Sequence, residues 1–279
     1  MLLIPGLAAV LILLILPITG VLKFSFEQPS ITDFTAGGFS FDNYAHILTD
    51  AQLQGIVVRT FVTAILTTLV SLVLALPISY YLSRCSERVK SFLTILLLFP
   101  LLAGNVVLSV GWVAILSPSG IVSQLLQQFG LLDGSLEIMR TLGVLVILMA
   151  MVNLPMIVLS MQGSVDQVGE STERAACSLG ASRFRAYREV LLPQIMPGIV
   201  AGTSLAFVLT VNAYATPRLI GGTTIQLAAP EIYGLVTLDG NWPYGSAMAV
   251  IVVALSLTIT GVYSWIASKS FDKWQKVKV

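Results

Sequence analysis

Asn105, Asn153 and Asn212 are amides set in stretches made otherwise almost wholly of apolar side chains, and Trp112 and Tyr214 stand close to two of them. The chemistry open to such residues is hydrogen bonding and, for the two rings, attraction of a cation to an aromatic face. Acid–base and nucleophilic chemistry are poorly supplied. The one histidine, His46, lies in a polar segment, neither H-E-x-x-H nor G-x-S-x-G occurs, and no carboxylate pair falls within an apolar stretch. An intramembrane enzyme would lack most of its site. The phosphate loop G-x-x-x-x-G-K followed by Ser or Thr is also missing, so no ATP-binding motif is present.

The elements that must position these residues are read from composition and apolar run length. Of 279 residues, 56% are hydrophobic and 10% charged, against about 25% charged in a soluble domain, which marks an integral membrane protein. A net charge of +1 and the lack of any Lys/Arg run exclude a nucleic-acid partner. Apolar stretches at 2–22, 56–83, 92–116, 141–161, 198–217 and 244–267 each approach or exceed the ~20 residues that span a bilayer. The expectation is an all-α integral membrane fold of six transmembrane helices forming a single domain over 1–279. The first stretch is read as a retained helix, because it lacks a basic n-region and a small-residue cleavage site. With the N-terminus inside, Arg84, Arg88, Lys90, Arg174, Arg183, Arg185, Arg188, Lys269, Lys273, Lys276 and Lys278 face the cytoplasm, 11 of the 15 basic residues. The positive-inside rule then places both termini in the cytoplasm. Cys85 and Cys177 fall on that side and read as unpaired thiols.

None of the six spans holds Asp, Glu or Lys, and Arg59 sits at the outer end of the second. A proton or ion relay is therefore missing, and the energy for any transport must come from elsewhere. Prolines 5, 17, 77, 100, 155 and 217 fall in five of the spans, where they free backbone carbonyls along a possible pathway. For each asparagine, pore lining and a hydrogen bond to a neighbouring helix are equally open. Glu231 and Asp239 lie in the last outer loop, where they either meet a cation at a candidate outer entrance, contact a partner protein, or stand as the solvated charges expected of a loop.

The inner loop 162–197 carries the chain's densest basic block, ERAACSLGASRFRAYREVLLP at 173–193. Ser164 followed by Gln167 has the form of a capping box and predicts a helix start. Gly180 is placed to end that helix left-handed, and Ser182 to cap a second short helix closed by Pro193. The product is a helical hairpin outside the membrane. Small Ala175 and Ala176 beside the turn suit insertion into another protein's groove, while Phe184, Tyr187 and the arginines equally suit an amphipathic interfacial helix.

Ala175-Ala176, three residues, Gly180, nine residues, Val190, one residue and Leu192-Pro193 resembles the EAA loop of permease subunits in ATP-binding cassette importers. Three positions depart from or shift the pattern: Arg174 stands where glutamate is usual, the acidic side chain is one residue earlier at Glu173, and Val190 replaces isoleucine. The stretch LAFVLTVNAYATPRLIGG at 205–222 is similar to the fifth helix and following loop of spermidine/putrescine-type permeases, a group that includes importers of other small amines and aminophosphonates. The resemblance implies a type I importer fold, in which two permease subunits, usually different, pair with a cytoplasmic ATPase dimer and a periplasmic solute-binding protein in the inner membrane. It implies that ATP and Mg are held by the partner ATPase, leaving no cofactor on this chain, and that residues 173–193 act as the coupling lever. A passive channel or a membrane scaffold is the rival class, and neither accounts for this loop.

Overall fold

The computed structural model describes residues 3–28, 38–130 and 138–276. It is helical, as a lipid-facing chain must be if its backbone groups are to be paired within each segment. The helices are α1 (Leu3–Ser25), α2 (Asp42–Thr49), α3 (Ala51–Arg84), α4 (Glu87–Ala103), α5 (Asn105–Leu116), α6 (Ile121–Gln128), α7 (Leu142–Ser178), α8 (Arg183–Ala186), α9 (Leu192–Gln194), α10 (Met196–Val211), α11 (Ala228–Thr237) and α12 (Trp242–Lys276). Two π-helical turns, Tyr187–Leu191 and Pro217–Gly221, interrupt the order. Many hydroxyls inside the helices bond back one turn, as with Thr60 to Ile56 O, Ser160 to Met156 O and Ser256 to Val252 O.

The chain divides into two compact units, Met1–Thr60 with Gln226–Leu257 and Phe61–Ile225 with Thr258–Val279. In the first, Asn43 Nδ2 donates to Ser25 O at 3.1 Å and Glu27 O at 2.8 Å, tying α2 to the end of α1. Phe26 stacks on Phe39 at 4.9 Å and meets Phe41 edge-on at 5.3 Å. His46 Nδ1 lies 2.8 Å from Tyr244 Oη. In the second unit, a continuous core joins Ala75 and Leu82 of α3, Ile157, Met161 and Val165 of α7, and Leu191, Ile195 and Ile199.

Three sequence expectations are corrected here. No helix begins at Ser164: α7 runs unbroken through 37 residues and is capped at Thr141, whose side chain accepts from Val144 N–H. Met161 and Val165, both fully buried, and half-buried Val168 carry an i, i+4, i+7 apolar stripe straight through the polar stretch, so packing keeps the helix going. The 92–116 span is cut at Gly104, where φ 79° and ψ 149° take the backbone out of the helix. The 198–217 span ends at Val211 and resumes as the second π turn. Among the described residues, Ala51–Arg84, Asn105–Gln128, Leu142–Val168 and Trp242–Lys269 are long and apolar enough to cross a membrane, and Arg183–Gln194 with Met196–Val211 forms a pair bent by 68°.

Candidate functional site

The hairpin is built by two caps placed back to back. At the end of α7 Gly180 adopts φ 91°, its N–H donates to Cys177 O at 3.0 Å, and the N–H of Ala181 donates to Ala176 O at 3.1 Å. These are the two bonds of a Schellman motif, which satisfies carbonyls a helix end would otherwise strand. Two residues later Ser182 is extended and its hydroxyl accepts from Arg185 N–H at 3.3 Å, starting α8. The chain thus reverses within a few residues and leaves Leu179 90% and Phe184 73% exposed at the tip. Two large apolar side chains held that far out form a face suited to a partner's groove. Ala175 is exposed and Ala176 half-buried, which keeps the approach to the turn shallow.

The return arm is anchored. Ala186, Leu191 and Ile195 are buried, while Val190, Leu192 and Pro193 are half-buried. Pro193 does not close the helix; the arm continues to Gln194 and turns at Ile195. Pro193 has no N–H and its ring crowds the carbonyl four residues back. The turn just before it is wide, with Leu192 N–H donating to Tyr187 O, five residues back.

Glu173 and Arg174, adjacent in sequence, take opposite roles. Arg174 is exposed. Glu173 turns inward: its Oε1 accepts from Tyr80 Oη at 2.7 Å and its Oε2 from Arg84 Nη2 at 3.0 Å and Nε at 3.3 Å. The Arg84 guanidinium lies 5.5 Å from the Tyr80 ring centre, and Tyr187 meets the same ring edge-on at 5.3 Å. Burial pushes the Tyr187 phenol above its ordinary pKa, so it stays neutral. Nearby Lys90 Nζ binds Asp166 Oδ2 at 3.0 Å, joining α4 to α7.

The amides and rings fall into two groups. Asn105 is the first residue of α5, directly after the break at Gly104, and half-buried Trp112 lies about two turns further along the same face. Asn212 closes α10, its Nδ2 donating to Val208 O at 2.8 Å, and exposed Tyr214 follows in the unwound stretch before the second π turn. These two interruptions are joined: Ser109 Oγ donates to Thr216 Oγ1 at 2.9 Å in a buried contact. Paired interruptions of apolar helices expose backbone groups that only a cavity or neighbouring protein can satisfy, which makes them a recurrent setting for transported solutes. Asn153 is buried and donates to Thr210 Oγ1 at 2.7 Å between α7 and α10, two residues before the α10 interruption. For this residue the helix–helix bond is the reading observed. Glu231 occupies the first turn of α11 and Asp239 the exposed turn after it, both in the first unit.

Sequence reasoning passed over two features. Gly198 and Gly202, a G-x-x-x-G pair, bring α10 against α7 so closely that a Cβ on Gly202 would lie 3.1 Å from Ile157 Cα. The pattern was present to be read. Thr203 and Tyr263, whose hydroxyls lie 2.8 Å apart, line a cavity of about 250 Å³ together with Thr68, Ser204 and Thr260, whose buried hydroxyls have no partner among the described residues. No sequence spacing foretells that convergence. Pro77, Pro100 and Pro155 meet instead around an apolar cavity of about 470 Å³, which offers a polar solute little to bind.

Comparison with known proteins agrees with this geometry. Residues 53–271 match the family described as binding-protein-dependent transport system inner membrane component. The chain is 26% identical over 258 residues to the spermidine/putrescine transport system permease protein PotB of Escherichia coli (strain K12), covering 92% of this chain and 93% of that protein. PotB of Salmonella typhimurium (strain SL1344) is 26% identical over 258 residues, covering 92% and 89%. A chain from the crystal structure of a bacterial alginate ABC transporter, in complex with its alginate pentasaccharide-bound periplasmic protein, superposes with a TM-score of 0.81 at 16% identity, covering 97% of this chain and 93% of that one. It shares the fold. With its hairpin, broken helices and matched length, the chain belongs to the family of binding-protein-dependent transport system inner membrane components.

Proposed function

We propose that this chain is one of two different permease subunits of an ATP-driven inner-membrane importer for a polyamine such as spermidine or putrescine, or a related amine. The observation that carries the reading is the Schellman-capped hairpin with Leu179 and Phe184 projecting from its tip. In this reading the tip seats in a cytoplasmic ATPase dimer, which holds ATP and Mg and does the hydrolysis. Residues 173–193, with Ala175, Ala176, Gly180, Val190, Leu192 and Pro193, convert closure of that dimer into motion of the six membrane-spanning segments. Both termini lie in the cytoplasm. ATP can shift the inward–outward equilibrium only through contacts that differ between the two states, and the hairpin is where such contacts form.

The joined interruptions supply part of the pathway, with Asn105 and Asn212 offering hydrogen bonds and Trp112 and Tyr214 offering ring faces to a cation. Glu231 and Asp239 attract the cation at the outer mouth, where the periplasmic binding protein delivers it. The similarity to PotB over almost the whole chain supports the choice of amine.

The test is a detergent pull-down of the tagged chain from native membranes, with identification of its partners and an ATPase assay with and without solute-loaded binding protein. Recovery of an ATPase and a second permease, with turnover stimulated by spermidine or putrescine, is the expected result. Recovery of the chain alone, under conditions that keep other membrane complexes intact, would overturn it.

A further inference from the structure

Glu173, the acid two residues before the alanine pair, offers little to a partner. Both oxygens of Glu173 are occupied within the chain, by Tyr80 on one side and by two nitrogens of Arg84 on the other. The side chains of Arg84 and Glu173 are 17% and 12% exposed, so the pair is screened far less than an open surface pair. Arg185–Glu189, on the return arm, shows the contrast: at the same 3.0 Å distance its side chains are 67% and 53% exposed. Tyr80 carries the connection to that arm as well, because Tyr187 packs edge-on against its ring. Three pieces of chain therefore converge on one point: the end of α3, the last turns of α7 and the π turn.

We infer that Glu173 is a positioning residue whose coupling role is internal, clamping the docking hairpin to the end of α3 through Arg84 and Tyr80. This rests on the importer reading above. The return arm already shares an apolar core with α3 through Leu82, Leu191 and Ile195; the clamp adds a polar tie from the α7 arm to the same helix end. With the clamp closed, displacement of the tip displaces α3, and the work of ATPase closure reaches a third membrane helix besides α7 and α10. Arg174, the next residue, is exposed, whereas Glu173 is largely covered.

The experiment uses the whole importer in proteoliposomes, with its ATPase, second permease and binding protein. Four variants of this chain are compared with wild type: Glu173→Gln, Glu173→Arg, Arg84→Glu, and the double variant that exchanges the two charges. Co-purification of the ATPase, ATP turnover and solute uptake are read separately. Glu173→Arg and Arg84→Glu are expected to retain the ATPase and lower solute moved per ATP about tenfold, inside the roughly 5- to 150-fold span of ordinary coupling energies. Exchange of the charges is expected to recover most of that loss, which a contact between Glu173 and the ATPase would not allow. Glu173→Gln, which keeps size and one hydrogen bond, should fall between and serves if a reversed charge prevents assembly. An exchange variant no better than Glu173→Arg, or a Glu173→Gln variant with wild-type solute per ATP, overturns the clamp while leaving the importer standing. Failure of the wild-type chain to hold any ATPase overturns the importer reading, and the clamp with it.

Discussion

At Gly180 the backbone is left-handed, φ 91°, and nothing lies within 4 Å of where a Cβ would point; at Gly202 the backbone is helical, and a Cβ would come 3.1 Å from Ile157 Cα and 3.2 Å from Ile157 O. One glycine is required by conformation, the other by lack of space. Gly198, one turn before Gly202, repeats the second condition, with Ser160 O at 3.0 Å and Met161 Cα at 3.1 Å. Both kinds act on α7, the first at its far end and the second along its middle. The tip is shaped but left uncovered, as a surface that must meet a partner requires, whereas the α7–α10 seam is closed too tightly for a side chain at either glycine, as a bearing that transmits motion requires.

The comparison is broken most severely at the seam. Gly202→Leu forces a side chain into helix backbone that cannot move aside, and overpacking of this kind costs about 1–3 kcal/mol even where neighbours can adjust. Loss of most folded protein is expected, read as detergent-extracted monodisperse yield. Gly180→Val meets no neighbour and pays only the left-handed backbone penalty, about 1–2 kcal/mol for a side chain with a Cβ. It should leave the membrane helices folded while transport collapses, and Gly180→Asn, which tolerates that backbone region, should restore most of it. Wild-type transport by Gly180→Val would remove the turn from the mechanism. Phe184→Ala touches neither glycine and removes only the exposed ring. If the tip seats in a groove, retention of the ATPase should weaken about 30-fold, the scale of a 2 kcal/mol hot spot, with unchanged yield.

How much of this could be read in the sequence depended on whether a local rule or a distant neighbour decided the matter. The turn at Gly180 and the cap at Ser182 were legible because each is set by the residues within one helical turn of it. The start expected at Ser164 was wrong because Met161 and Val165 pack on a core assembled from elements far away in the chain, and that packing outweighs a local capping pattern. The break at Gly104 was hidden inside an apolar run whose hydropathy gives no sign of a single positive φ. Glu173 was visible as a displaced acid, but its partners Tyr80 and Arg84 stand about ninety residues away, and no spacing rule connects them. The G-x-x-x-G pair at 198–202 was also legible, because a four-residue spacing of glycines places both on one helix face.

The smallest expected effect separates the two groups of asparagines. Asn153 donates to Thr210, but Thr210 also donates its own hydroxyl to Ala206 O at 2.8 Å. Removing the amide therefore leaves no stranded donor on Thr210, and interhelical hydrogen bonds in membranes average about 0.6 kcal/mol. Asn153→Leu should shift the detergent melting temperature by a degree or two, since 1 kcal/mol corresponds to roughly 2–4 °C in a chain of this size. Solute preference in uptake assays should not change, because the Asn153 amide is buried and engaged by Thr210 rather than open to the interruption that begins two residues after Thr210. Asn212→Leu, at the end of α10 beside unwound backbone, should alter uptake of a cationic solute more than it alters melting. If Asn153→Leu changes preference and Asn212→Leu does not, the pathway runs along the α7–α10 seam, and the tightness of that seam at Gly198 and Gly202 would then have to relax during transport.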